Sequence, residues 1–161
     1  MCYDSSMRKV VTKSLAETHI LASDFLESLR RYVAAGEGAT VLALQGGLGA
    51  GKTAFVQGLA KALGIAERIT SPTFVLMKRY ETAQKKNAAP SFTSLVHIDA
   101  YRFEQPSEME PLRWHELLTQ PNTLIAIEWP EKVAGALPEG AHLLRFTFVD
   151  EATREITLPH D

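Results

Sequence analysis

Three groups of residues in this chain have the types and spacing to do chemistry: a glycine loop ending in lysine and threonine, and two carboxylates that close apolar runs. Gly46-Gly47-Leu48-Gly49-Ala50-Gly51-Lys52-Thr53 fits G-x-x-x-x-G-K-[ST]. Backbone N–H groups at a helix N-terminus carry partial positive charge, and glycines let that backbone close on a polyphosphate. In such a cradle Lys52 reaches the β- and γ-phosphates and the Thr53 hydroxyl holds Mg²⁺. The loop predicts a nucleoside triphosphate as ligand.

The carboxylates are Asp99, ending Leu95-Val96-His97-Ile98-Asp99, and Glu128, ending Thr123-Leu124-Ile125-Ala126-Ile127-Glu128. A hydrolytic site on such a loop needs one carboxylate to hold Mg²⁺ and can use another to orient the attacking water. Which of the two does which stays open. His97 precedes Asp99 by two residues and therefore shares its sheet face; it reads as a buried histidine with a hydrogen-bond partner. Trp129 follows Glu128 and is held by Pro130, where it either packs or lies near the nucleotide. Ser71-Pro72-Thr73-Phe74 is either a plain turn or a switch whose hydroxyl senses the γ-phosphate. Arg102 is a candidate cation for the transferred phosphoryl group, or a surface arginine.

These groups need elements to carry them. Thr40–Gln45 reads as a buried strand before the loop, and Phe55, Leu59 and Leu63 recur at helical spacing after it until Gly64. Upstream, Ser14-Leu15-Ala16-Glu17 resembles a capping box, with Leu15, Ala22, Leu26, Leu29 and Val33 spaced as a helix ending at Gly36. Phe74–Met77 reads as a strand running towards Tyr80, and the polar stretch 81–94 as a loop. A second capping box, Ser107-Glu108-Met109-Glu110, opens a helix through Leu117. Thr123–Glu128 is apolar throughout, as in strands covered on both faces. Leu144, Phe146 and Phe148 alternate with polar residues and are followed by a strand through Ile156 and Leu158, the period of an antiparallel hairpin. The expected fold is α/β: a phosphate-loop NTPase-type three-layer arrangement, a mainly parallel sheet flanked by helices with a C-terminal antiparallel hairpin. A single domain over 1–161 is expected, with residues 1–10 as a disordered lead-in.

Composition narrows the classes. At 161 residues and a net charge of −2, the chain lacks the basic excess of a free-standing nucleic-acid binder. Cys2 is the single cysteine, so neither an internal disulfide nor a cysteine-based zinc site is available, which fits a reducing compartment. With no signal-like apolar segment and no run approaching a membrane span, a cytoplasmic protein without membrane attachment is expected.

Taken in order, Gly46…Lys52-Thr53, Ser71-Pro72-Thr73-Phe74, His97-Ile98-Asp99-Ala100-Tyr101-Arg102 and Ile127-Glu128-Trp129-Pro130 resemble the TsaE (YjeE) family, and the match in spacing runs from about Ser14 to Leu158. The glycine loop alone is shared with many proteins; the other motifs in this order are specific to the family. The resemblance implies a small bacterial ATPase that hydrolyses ATP slowly alone and works with TsaB-like and TsaD-like partners in forming threonylcarbamoyladenosine on tRNA, touching tRNA indirectly. By matching motif it implies that Gly46, Gly47, Leu48, Gly49, Ala50, Gly51, Lys52, Thr53, Thr73 and Trp129 bind ATP. It likewise implies that Asp99, Glu128 and Lys52 serve catalysis, and that Thr53, Glu128 and Asp99 serve Mg²⁺. One departure stands out: the family commonly has aspartate after the first glycine of the loop, where this chain has Gly47.

Two enzymes on the same loop are the rivals. A metabolite or nucleoside kinase usually carries an arginine-rich lid, whereas Arg102, Arg113, Arg145 and Arg154 are scattered here. A GTPase carries an Asn-Lys-x-Asp guanine signature, which is absent. A nucleotide-gated binding module with little turnover overlaps with the family reading.

Overall fold

The computed structural model describes residues 7–32, 38–83 and 92–159. Seven strands form one mixed sheet in the order β1-β7-β6-β2-β5-β4-β3: β1 Met7–Thr12, β2 Thr40–Gly46, β3 Met77–Glu81, β4 Ser94–Asp99, β5 Thr123–Glu128, β6 His142–Phe148 and β7 Arg154–Pro159. The central ladders, β6–β2–β5–β4, are parallel, and the outer ones, β1–β7, β7–β6 and β4–β3, are antiparallel. The expected α/β fold and the hairpin of β6 and β7 are present. The sheet is mixed and not mainly parallel, because β1 and β3 add antiparallel edges that the sequence reading did not foresee. β1 also corrects the expected disordered lead-in for residues 7–10; residues 1–6 lie outside the described residues.

Alternation along the central strands sends side chains to two cores. Leu42, Leu44, Leu95, Leu124 and Ala126 face helices α1 (Leu15–Tyr32) and α2 (Lys52–Ala62), packing with Phe25, Leu26, Phe55 and Leu59. Val41, Val96, Ile98, Ile125 and Ile127 face the opposite layer, built from a 3₁₀ segment Pro106–Leu112, helix α3 (Trp114–Leu118) and a second 3₁₀ segment Pro130–Ala136. Both faces of β5 are covered, which is why its sequence is continuously apolar.

Local signals explain the ends of elements. Ser14 Oγ accepts from Glu17 N–H at 3.1 Å and the Glu17 carboxylate accepts from Lys13 N–H at 2.8 Å, so α1 begins where its capping residues stand. α1 and α2 approach closely at Gly58, where a Cβ would meet Ala22 Cβ at 2.7 Å and His19 Cα at 2.8 Å. Leu15 lies exposed, and the buried stripe of α1 starts further along, at Thr18. Two expected elements shift. Phe74–Leu76 is a turn and not a strand, because the Pro72 carbonyl accepts from both Val75 and Leu76 N–H and Leu76 takes φ 63°. The helix expected from Ser107 through Leu117 breaks at Arg113, φ 55°, into the 3₁₀ segment and α3. Its capping box opens at Gln105, since Glu108 accepts from Glu104 and Gln105 N–H, which holds the Glu108 carboxyl below its ordinary pKa. Strands occupy Met77–Glu81 and Ser94–Asp99, so the polar stretch is shorter at both ends than expected, and residues 84–91 lie outside the described residues.

Candidate functional site

Parallel pairing brings the chemistry to one sheet edge. β2 ends at Gly46, and in the β4–β5 ladder Asp99 stands directly opposite Glu128, so both carboxylates lie at the strand ends where the glycine loop begins. Ligands of open α/β sheets sit outside such carboxyl ends. The loop passes from β2 into α2 through Gly51, the N-cap, at φ 100°, a conformation that a Cβ disfavours. No side chain caps α2, leaving its first-turn N–H groups facing the loop's concavity. Leu48 is 90% exposed at the loop's crest, whereas Ala50 is buried beneath it.

Lys52 folds back across the loop. Its Nζ donates to the Gly46 carbonyl at 2.6 Å and the Gly47 carbonyl at 2.8 Å, and lies 4.3 Å from the Trp129 ring centroid. The side chain is only 4% exposed. Burial pushes its pKa below the ordinary lysine value, against the opposing pull of Glu128, Glu131 and Asp99. Donors of this kind are what a phosphate would engage.

The two carboxylates, 3% and 4% exposed, have different company. Glu128 Oε1 accepts from the Thr53 hydroxyl at 2.8 Å and sits 2.9 Å from His97 Nε2. Asp99 Oδ2 accepts from Thr73 Oγ1 at 2.7 Å and Ser71 Oγ at 2.9 Å, while Oδ1 accepts from Tyr101 N–H at 3.0 Å. The structure therefore brings Lys52, Thr53, Glu128, Asp99, Thr73 and Trp129 together around the loop. His97, expected as a buried residue with a partner, has Glu128 as that partner. Arg102 is not brought in; its guanidinium stacks on the Phe74 ring at 5.0 Å.

Trp129 holds φ 59°, a strained setting for a bulky residue, and its ring meets Tyr101 at 5.0 Å between centroids. Sequence reasoning missed Arg154. From β7 its Nε donates to the Gly49 carbonyl at 3.0 Å, and its Nη1 donates to the Thr153 carbonyl at 2.9 Å. A hydrogen bond across 105 residues leaves no local signal. Thr53 and Glu128 form a pair of hard oxygen donors in contact, which suits Mg²⁺, an ion held by one or two protein oxygens and otherwise by phosphate and water.

Residues 12–156 match the family model described as "Threonylcarbamoyl adenosine biosynthesis protein TsaE". The chain belongs to this family. Among TsaE relatives, one from Treponema pallidum is 38% identical over 122 residues, covering 76% of this chain and 83% of the relative. Another, from Nostoc sp., is 36% identical over 145 residues, covering 86% of this chain and 83% of its own. Both carry the name tRNA threonylcarbamoyladenosine biosynthesis protein TsaE. The crystal structure of Bacillus subtilis YdiB superposes with a TM-score of 0.69 at 26% identity, covering 99% of this chain and 88% of that one. The matched TsaE region begins at the last residue of β1 and ends inside β7, so it contains every residue of the site. Among the described residues, no helix is long and apolar enough to cross a membrane.

Proposed function

We propose that this TsaE-family chain acts in the biosynthesis of threonylcarbamoyladenosine on tRNA as a phosphate-loop ATPase, Mg²⁺-dependent and slow by itself, working with TsaB-like and TsaD-like partners in the cytoplasm. The observation that carries the reading is the convergence of Lys52, Thr53 and Glu128 on one side of the glycine loop. In it, Lys52 leaves the Gly46 and Gly47 carbonyls for the β- and γ-phosphates, and the α2 N–H groups receive phosphate oxygens. Thr53 and Glu128 would hold Mg²⁺, with Asp99 beside them, and the ion would supply charge to offset that developing on the phosphates. One of the two carboxylates orients the attacking water, and Thr73, tied to Asp99, is the switch residue. Trp129 and its neighbour Tyr101 wall the nucleotide side of the loop.

The arginines speak against a kinase lid. Arg113 pairs with Glu116, Arg154 braces Gly49, and Arg102 lies on Phe74. Mg²⁺-dependent ATP hydrolysis by the purified chain, alone and with its TsaB and TsaD homologues, is the deciding assay. The expected result is slow turnover that changes clearly with the pair. Lys52→Ala should lower turnover on the order of 10²–10³-fold, the usual loss for a donor aimed at developing charge. Fast turnover indifferent to partners and dependent on a small-molecule acceptor would make the chain a kinase.

A further inference from the structure

We propose that His97 is the positioning residue that fixes the orientation of the Glu128 carboxylate, holding it while Thr53 changes partner. The inference deepens the ATPase reading and rests on it. His97 lies on β4 opposite Ala126 of β5, two residues before Glu128 on the same strand. Its side chain is fully buried, and its Nε2 is 2.9 Å from Glu128 Oε1. A carboxylate oxygen can only accept, so Nε2 carries the hydrogen. The other ring nitrogen, Nδ1, is buried and has no hydrogen-bond partner. The imidazole thus spends its one satisfied polar contact on the carboxylate that sits beside Thr53.

Thr53 and His97 approach the same oxygen from different parts of the molecule. The Thr53 hydroxyl comes from the first turn of α2, half-buried and facing the glycine loop. It is the group that the ATPase reading gives to Mg²⁺, so its bond to Glu128 is exchanged whenever the ion arrives. His97 comes from inside the sheet, where no loop or solvent competes for it. Its bond persists through that exchange and keeps Oε1 from rotating. Hydrogen-bonding partners behind a metal-binding or catalytic group commonly act this way.

The test combines turnover, nucleotide binding and ring spectroscopy on the full chain. His97→Ala should lower kcat on the order of 10–100-fold while KM and the dissociation constant of a fluorescent ATP analogue stay within about threefold. His97→Gln, whose terminal amide can place an N–H near the position of Nε2, should regain most of that loss. Adding His97→Ala to Glu128→Gln should cost little more than Glu128→Gln alone, since the two act as a unit. Nitrogen-15 spectra of the wild-type chain should show a proton on His97 Nε2, the nitrogen facing Glu128; this readout needs no variant to fold and no activity. A His97 Nε2 that carries no proton overturns the proposal, as does wild-type kcat in His97→Ala beside a crippled Glu128→Gln. If Glu128→Gln itself turns over normally, the catalytic reading of Glu128 falls first and takes this inference with it.

Discussion

Asp99 and Glu128 occupy equivalent places, side by side in register at the ends of neighbouring parallel strands, yet they are held by opposite kinds of structure. Glu128 is held by a helix residue, Thr53 of α2, and a strand residue, His97 of β4. Asp99 is gripped by Ser71 and Thr73, which stand on a turn between elements, and by a backbone N–H just past its own strand. Groups on helices and strands keep their geometry; groups on turns are free to be reorganised by a ligand. On the proposed ATPase reading, this contrast would give Glu128 the fixed chemistry and Asp99 the responsive role, and experiment can test it.

The largest difference should come from the carboxylates themselves. Glu128→Gln is expected to lower hydrolysis on the order of 10²-fold or more with nucleotide affinity nearly kept, because positioning in the transition state depends on it more than ground-state binding does. Asp99→Asn is expected to lose turnover too, with a larger share of its effect in the response to partners. Steady-state kinetics with and without those partners separates the two, and identical profiles would erase the distinction. A middle-sized effect is expected from the turn: Thr73→Ala should cost about tenfold in partner-stimulated turnover, within the range for one positioned hydrogen bond, and Ser71→Ala less, since Ser71 is the more exposed arm. Equal basal losses in both would place the turn in the chemistry itself.

A smaller effect concerns Lys52. Burial lowers its pKa in the free chain, and phosphates would raise it again. Between those two values binding takes up a proton, so ATP affinity should fall as pH rises through that alkaline window. Calorimetry in buffers of different ionisation enthalpy reads the uptake directly, and zero uptake would show that Lys52 enters binding already charged. The smallest effect is expected at Gly47. A Cβ there meets nothing within 4 Å. Gly47→Asp, restoring the residue common in the family, should fold normally and shift Mg²⁺-dependent nucleotide affinity by no more than a few-fold, measured by the same titration.

Much of this site was legible because its parts announce themselves locally. A glycine loop needs its spacing, and Asp99 and Glu128 end apolar strands whose continuity shows burial on both faces. What the sequence hid depends on distance or on a turn. Arg154 reaches Gly49 from the last strand, and His97 is told from an ordinary core histidine only by what stands 2.9 Å away. Phe74–Leu76 has β-forming residues throughout, yet the Pro72 carbonyl captures two of its N–H groups and turns the chain before β3. β1 was missed because its short, charged, half-exposed sequence has the look of a tail until β7 pairs with it. The helix after Ser107 failed for a local reason, as Pro111 and the left-handed Arg113 interrupt the pattern.

That pairing of β1 with β7 has a consequence for how the protein is born. Met7 is in register with Pro159, so β1, made before the other six strands of the sheet, finds its partner only once β7 has been made. Arg154, which steadies Gly49 in the glycine loop, belongs to the same late strand. During synthesis the loop, its lysine and its helix emerge long before the brace that completes them. A chain cut short before β7 would lose the partner of β1 together with the support of its glycine loop.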